Sequence, residues 1–152
     1  MSKLQTKCEA VINAPVQSIW AVITDIDQLS RLNPGVVKAS GRMDQQGETR
    51  TVEINMNGRN GTFTEKLIEM VPEVKTAWTI EHDTMGMHKM LKENRFVINL
   101  EKLGDNQTKV TNETYYQPAN VIAWIMSALM IKTAFGKMQG QILTNLKILT
   151  EK

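Results

Sequence analysis

Residues 12–36 read INAPVQSIWAVITDIDQLSRLNPGV, and how this stretch divides decides the fold. An apolar, strand-like run stops at Asn13. Pro15 follows at once, and the first turn of a helix tolerates its missing N–H. Trp20, Val22, Ile23 and Ile26 supply apolar contacts over the next turns. Asp25, with Gln28 three residues on, caps a second short helix. Asn33-Pro34-Gly35 ends that helix by turn chemistry. Two brief helices placed directly after a first strand are suited to closing one end of a sheet.

The chain on either side supplies that sheet. Residues 4–13 alternate, with Leu4, Thr6, Cys8, Ala10 and Ile12 on one face. After Gly35, strands are expected over 36–42, 49–57, 62–71, 75–83, 88–103 and 108–117. Asn57-Gly58-Arg59-Asn60-Gly61 is a strong hairpin signal, because Asn and Gly accept positive φ. Beyond Pro118 the pattern becomes helical to about residue 150. There Trp124, Ala128, Ile131, Phe135, Met138, Ile142, Leu146 and Leu149 form one apolar stripe. Lys147 and Lys152 sit near its end, where positive charge is favoured.

The expected class is therefore α+β. It has a seven-stranded curved antiparallel sheet, two short helices and one long C-terminal helix, all in a single domain over residues 1–152. An antiparallel sheet of this size must bury one face, and the long helix is the available cover. With only three Phe, three Trp and two Tyr in 152 residues, a strongly twisted sheet and one helix leave space between them. The two short helices then form part of the wall of a cavity.

Composition narrows the function. Eighteen basic against sixteen acidic residues give a net charge of +2, too small an excess to indicate nucleic acid. The one cysteine, Cys8, excludes an intrachain disulfide framework and suits a reduced, cytoplasmic setting. The N-terminus lacks the apolar core and cleavage site of a signal peptide. The longest apolar run, residues 121–131, is shorter than the ~20 residues that span a bilayer, so a soluble protein without a transmembrane segment is expected.

The order of elements resembles the helix-grip fold of the START-like (SRPBCC) superfamily, in its polyketide cyclase/dehydrase-like branch. The resemblance rests on VINAPVQSIWAVITDIDQLSRLNPGV near the start, TEKLIEMVPEVKTAWTIE in the middle and LTNLKILTEK at the end, and it spans essentially the whole chain. Leu32 stands where many bacterial relatives place tryptophan. The resemblance implies a hydrophobic or amphipathic small-molecule cavity. It fixes no reaction, since one fold hosts binders and enzymes alike.

Alternation assigns the inward side chains: Trp78, Ile80 and His82 on the fifth strand, Met90, Asn94, Phe96, Ile98 and Leu100 on the sixth, and Val110, Asn112, Thr114 and Tyr116 on the seventh. Trp124, Ile131, Phe135 and Met138 join them from the helix. Asn94, Asn112, Thr114 and Tyr116 are the polar points of an otherwise apolar site. His82 is a candidate general base, although a solvated hairpin histidine is the plainer reading. His82, His88, Glu81 and Asp83 lack the convergent geometry of a zinc site, so no metal is expected. No cofactor motif is present. Glu53, Glu65, Glu69, Glu81, Glu93 and Glu113 read as a solvated outer face, and a single buried carboxylate among them is not identifiable from the pattern. Met85, Met87, Met90, Met126, Met130 and Met138 bring flexible thioethers to an adaptable cavity or an aromatic-poor core.

Residues 121–131 are apolar nearly all round. The surplus face, with Ile122, Ile125, Met126, Leu129 and Met130, suits a homodimer first, then a membrane surface or a gating hairpin. The expected function is binding or transport of a hydrophobic small molecule: a lipid, an isoprenoid or an aromatic polyketide-like compound. The alternatives are a cyclase or dehydratase, and an interaction module using the long helix.

Overall fold

In the computed structural model, which describes residues 2–151, the sheet is antiparallel and has seven strands in the order β1-β7-β6-β5-β4-β3-β2. These are β1 (Lys3–Ile12), β2 (Val36–Gly41), β3 (Thr49–Met56), β4 (Arg59–Val71), β5 (Lys75–Asp83), β6 (Leu91–Gly104) and β7 (Gln107–Pro118). Between β1 and β2 lie α1 (Val16–Ile23), a 3₁₀ turn (Ile26–Gln28) and α2 (Leu29–Leu32). A further helical turn, α3 (Met87–Met90), precedes β6, so the sixth strand starts at Leu91 and not at His88. The C-terminal helix runs over Val121–Thr150 as α4 (Val121–Met126), a wide π turn (Ser127–Ile131) and α5 (Lys132–Thr150). Lys152 lies outside the described residues.

Local chemistry accounts for the joints. Asp25 accepts from the Asp27 amide and caps the 3₁₀ turn. Asn57 and Gly58 both have positive φ and close a two-residue hairpin between Met56 and Arg59, the type I′ geometry that matches strand twist. Asn120 caps α4 by accepting from the Ala123 amide. Bulges change which side chains face the helix. One at Gln5, between Leu4 and Thr6, turns Leu4 out to solvent while Cys8, Ala10 and Ile12 face the core.

The buried stripe of the C-terminal helix differs from the expected one. It runs Ala123, Ser127, Ile131, Phe135, Gln139, Leu143, Leu146 and Thr150, so Trp124, Ala128, Met138, Ile142 and Leu149 are displaced from it. Met138 and Ile142 line the cavity, and Leu149 packs partly buried on the core. From Ala123 to Leu143 the step is always four residues. An α-helix with about 3.6 residues per turn would carry such a stripe around its axis. The π turn takes up part of that drift and keeps both ends of the helix on the sheet. By length and composition alone the helix could cross a membrane, a test that the core helix of a globular fold also passes. Residues 121–131 alone are too short for this. In the fold the helix packs on β1, β7, α1 and α2.

Ile12, Val16, Ile19, Ile23, Leu32, Leu100, Val110, Leu143 and Leu146 make one compact core at the α1 end. A second cluster, Leu91, Tyr116, Ile131 and Phe135, closes the opposite end. The space between them is not filled.

Candidate functional site

A cavity of about 520 Å³ lies between the inner face of the sheet and α5. Trp78 and Ile80 of β5, Phe96 and Ile98 of β6, and Phe135 and Met138 of α5 line it, with Asn112 and Thr114 of β7. Ile23, Leu29 and Leu32 from the short helices supply one wall, which is where the opening stretch of sequence leads. Exposed residues of the lining, among them Pro34, Asn55, Asn57, Ala134, Lys137 and Gln141, place the mouth between the α2–β2 turn, the end of β3 and α5. Asn33 ties this rim together. Its Oδ1 accepts from the Gly35 amide at 3.0 Å, and its Nδ2 approaches Met138 Sδ at 3.5 Å.

Six expected site residues fall elsewhere. Ile80 pairs with Glu65 while His82 pairs with Thr64, so Glu81 is an extra residue on β5. This bulge reverses the alternation: His82 is exposed and Asp83 is buried. Asn94 is buried, but the backbone consumes its amide. Its Oδ1 accepts from Ile80 N at 2.7 Å, and its Nδ2 donates to the carbonyls of Ile80 and Leu91. The side chain stands in for ladder bonds where β5 and β6 diverge, since their pairing covers only Lys75–Trp78. Met90 and Ile131 pack in the end cluster. Tyr116 is buried there too, its hydroxyl bonded to Ser127 Oγ, and burial pushes its phenol pKa up. Trp124 is on the outer surface.

The pattern missed the most highly charged part of the cavity. Arg50 of β3 and Glu65 of β4 are directly opposite in the ladder, and both line the space. Arg50 Nε donates to Glu65 Oε1 at 2.9 Å, with only 9% and 13% of the two side chains exposed. The guanidinium carbon lies 3.7 Å from the centroid of the Trp78 ring, a cation–π stack, and Nη1 approaches Met43 Sδ at 3.5 Å. The signal was present: Arg50 is two residues before Val52, on the parity of Val52 and Ile54. Thr76, on the parity of Trp78 and Ile80, is a second polar lining residue. Glu65 therefore belongs to the inner face, unlike the solvated carboxylates with which it was grouped.

A second polar group lies across the sheet on β7 and α5. Gln139 Nε2 donates to Thr114 Oγ1 at 2.9 Å and to Asn112 Oδ1 at 3.4 Å, while Gln139 Oε1 is buried without a hydrogen-bond partner among the described residues. Glu65 pairs with Ile80, and Trp78 links through Phe96 to Thr114. Three strand spacings, roughly 14 Å along the sheet, thus separate the two polar groups, with Trp78, Ile80, Phe96 and Ile98 between them.

His82 and His88 approach to 5.0 Å between ring centroids. Among the described residues, no three His, Cys, Asp or Glu side chains are grouped so that they could hold a metal.

Solved structures share this architecture at low identity. A START superfamily protein from Mycobacterium smegmatis superposes with TM-score 0.75 at 11% identity, covering 96% of each chain. An aromatase/cyclase from a Streptomyces species gives 0.70 at 11%, covering 99% of this chain and 98% of that one. Norcoclaurine synthase from Thalictrum flavum, in complex with dopamine and hydroxybenzaldehyde, gives 0.71 at 17%, covering 100% and 90%. At these identities the likeness shows the helix-grip fold alone. No curated protein matches the sequence. The family model described as "Polyketide cyclase / dehydrase and lipid transport" matches residues 4–151, nearly the whole chain, and the chain belongs to that family.

Proposed function

We propose that the protein binds or carries a mostly apolar small molecule in the cavity, oriented by Arg50 and Glu65 at one side and by Gln139, Thr114 and Asn112 at the other. The candidate ligands are a lipid, an isoprenoid or an aromatic polyketide-like compound. The observation that carries this reading is a buried ion pair set into an apolar hollow. Such a pair is weak as a stabilising device, because well-packed apolar residues in its place are often as stable or more so. Its presence on a cavity wall supports a role toward a ligand. Glu65 already neutralises Arg50, so the ligand group that fits beside them is a neutral hydroxyl or carbonyl. A carboxylate would set two anions on one guanidinium.

A cyclase or dehydratase is the second reading. One feature favours it: Arg50, desolvated and stacked, is suited to polarise a carbonyl. Against it, no histidine is among the described residues that line the cavity, and Glu65 is the one carboxylate there.

The test is native mass spectrometry of the purified protein, with and without Ile98→Trp, which fills the centre of the cavity. Co-purifying lipid or aromatic compound on the wild type, lost from the variant, supports the binding reading. A variant that keeps its ligand and its affinity overturns it. Turnover that Arg50→Lys abolishes while binding persists favours the enzyme.

A further inference from the structure

We propose that the start of the C-terminal helix is a docking face for a membrane surface containing anionic lipid. This inference stands on the outer surface and not on the cavity's ligand. Val121, Ile122 and Leu129 are 72%, 71% and 72% exposed, Trp124 is 62% and Met130 57% exposed, and Ile125 is also open. Six large apolar side chains within ten residues form a contiguous exposed patch, which marks an interaction surface.

Charge selects the partner. From Thr114 to Thr150 the chain has no Asp or Glu, while it has Lys132, Lys137 and Lys147. Lys3 and Lys132 line one groove with Val121 and Trp124. Lys89 and Lys92 lie at the adjoining end, where the Ala119 amide bonds to the Met90 carbonyl and Lys92 pairs with Gln117. Glu93 is the one acidic residue beside them in the chain. An apolar helical face with a tryptophan and a lysine rim is the pattern of a helix that lies in the membrane interface. Tryptophan suits the headgroup level, and lysines are drawn to anionic headgroups.

A second copy of the chain fits less well. Symmetric pairing through this face would bring two sets of lysines together with no carboxylate on the helix to offset them. The face also continues into the cavity wall. Ala134, at its mouth, is only about one turn beyond Met130, so docking brings the opening near the bilayer.

Co-flotation of the full chain with vesicles tests this. Vesicles of phosphatidylcholine alone are compared with vesicles that also contain phosphatidylglycerol. The wild type is expected to partition at least tenfold better to the anionic vesicles, and less at high salt. The double variant Leu129→Glu/Met130→Glu is expected to lose this binding, and Lys132→Glu to weaken it severalfold, with unchanged circular dichroism melts. Wild-type protein that floats with neither vesicle overturns the proposal. So does equal binding to both that Lys132→Glu leaves unchanged. A dimer in sedimentation equilibrium that Met130→Lys dissolves, without vesicle binding, assigns the face to a second copy.

Discussion

Asp83 holds His88 twice: its Oδ1 accepts from the His88 amide at 2.8 Å and lies against the His88 ring Nδ1. Its Oδ2 accepts from the amides of Met85 and Met87. One buried carboxylate therefore organises the turn that carries Met87 into the cavity wall. Burial alone would raise the Asp83 pKa. The hydrogen bonds from His88, Met87 and Met85 outweigh it and hold the pKa below its ordinary value.

A carboxylate with a depressed folded-state pKa stabilises the fold above its unfolded pKa of about 3.9, and that contribution is lost as pH falls through the lower folded value. Asp83→Asn is expected to cost about 2 kcal/mol near neutral pH, the scale of hydrogen bonds to a charged group. The gap between wild type and variant should close in strong acid, where both side chains are neutral. Thermal melts of the two proteins across the acid range check this. A gap independent of pH would show that the charge contributes nothing.

Gly41 is the second test. Its φ is +117°, and a Cβ there would sit 2.6 Å from the Thr49 carbonyl oxygen and 2.8 Å from Arg50 Cα. Both obstacles are backbone, so no side chain can move aside. Gly41→Ala is expected to cost more than about 3 kcal/mol, as strain and overlap act together, and to disturb Arg50. Gly47→Ala is the control for backbone conformation. It too has positive φ, at +96°, but a Cβ would meet nothing within 4 Å. Equal losses in urea denaturation for both variants would mean that the contact at Gly41 is unimportant.

Tyr116 and Ser127 share a hydroxyl–hydroxyl bond between β7 and the π turn. Ser127→Ala leaves a buried phenol without its partner and is expected to cost about 1–3 kcal/mol. Tyr116→Phe/Ser127→Ala removes both polar groups and should cost less than the sum of the single changes. A double-mutant cycle by denaturant titration measures the coupling. Strict additivity would show that the bond does not pin the helix to the sheet.

The fold was legible because its signals are local and ordered: Pro15, the Asp25 cap, Asn57-Gly58, and period-two strands followed by one long helix. The site was legible only where alternation is unbroken. Phe96 with Ile98, and Asn112 with Thr114, line the cavity as parity predicts. Parity failed at Glu81 and Gln5, because a bulge adds one residue through the backbone pairing of two strands, and neither strand's sequence announces it. Asn94 illustrates another limit. Its inward position was predictable, but the divergence of β5 from β6 that claims its amide is a property of the whole sheet. The start of the helix stripe, at Trp124 and Ala128, was misplaced because a π turn alters the period between Ser127 and Ile131. Arg50 was overlooked because charge was read as exposure, although its parity placed it beside Val52 and Ile54.

Arg50 also yields the prediction that separates stability from recognition. Arg50→Met leaves Glu65 as an uncompensated buried charge and is expected to cost about 3–5 kcal/mol. Arg50→Met/Glu65→Met removes both charges, fills similar volume and should recover most of that loss, because desolvation of the pair offsets much of its attraction. If the pair exists to orient a ligand, the double variant will melt near the wild type yet bind a long-chain alcohol or ketone at least tenfold more weakly. Its affinity for the matching hydrocarbon should be unchanged. Titration calorimetry with the three compounds reads all of these outcomes. Parallel loss of affinity for alcohol, ketone and hydrocarbon would mean that the substitutions deformed the cavity, and unchanged affinity for all three would mean that the ion pair does not contact the ligand.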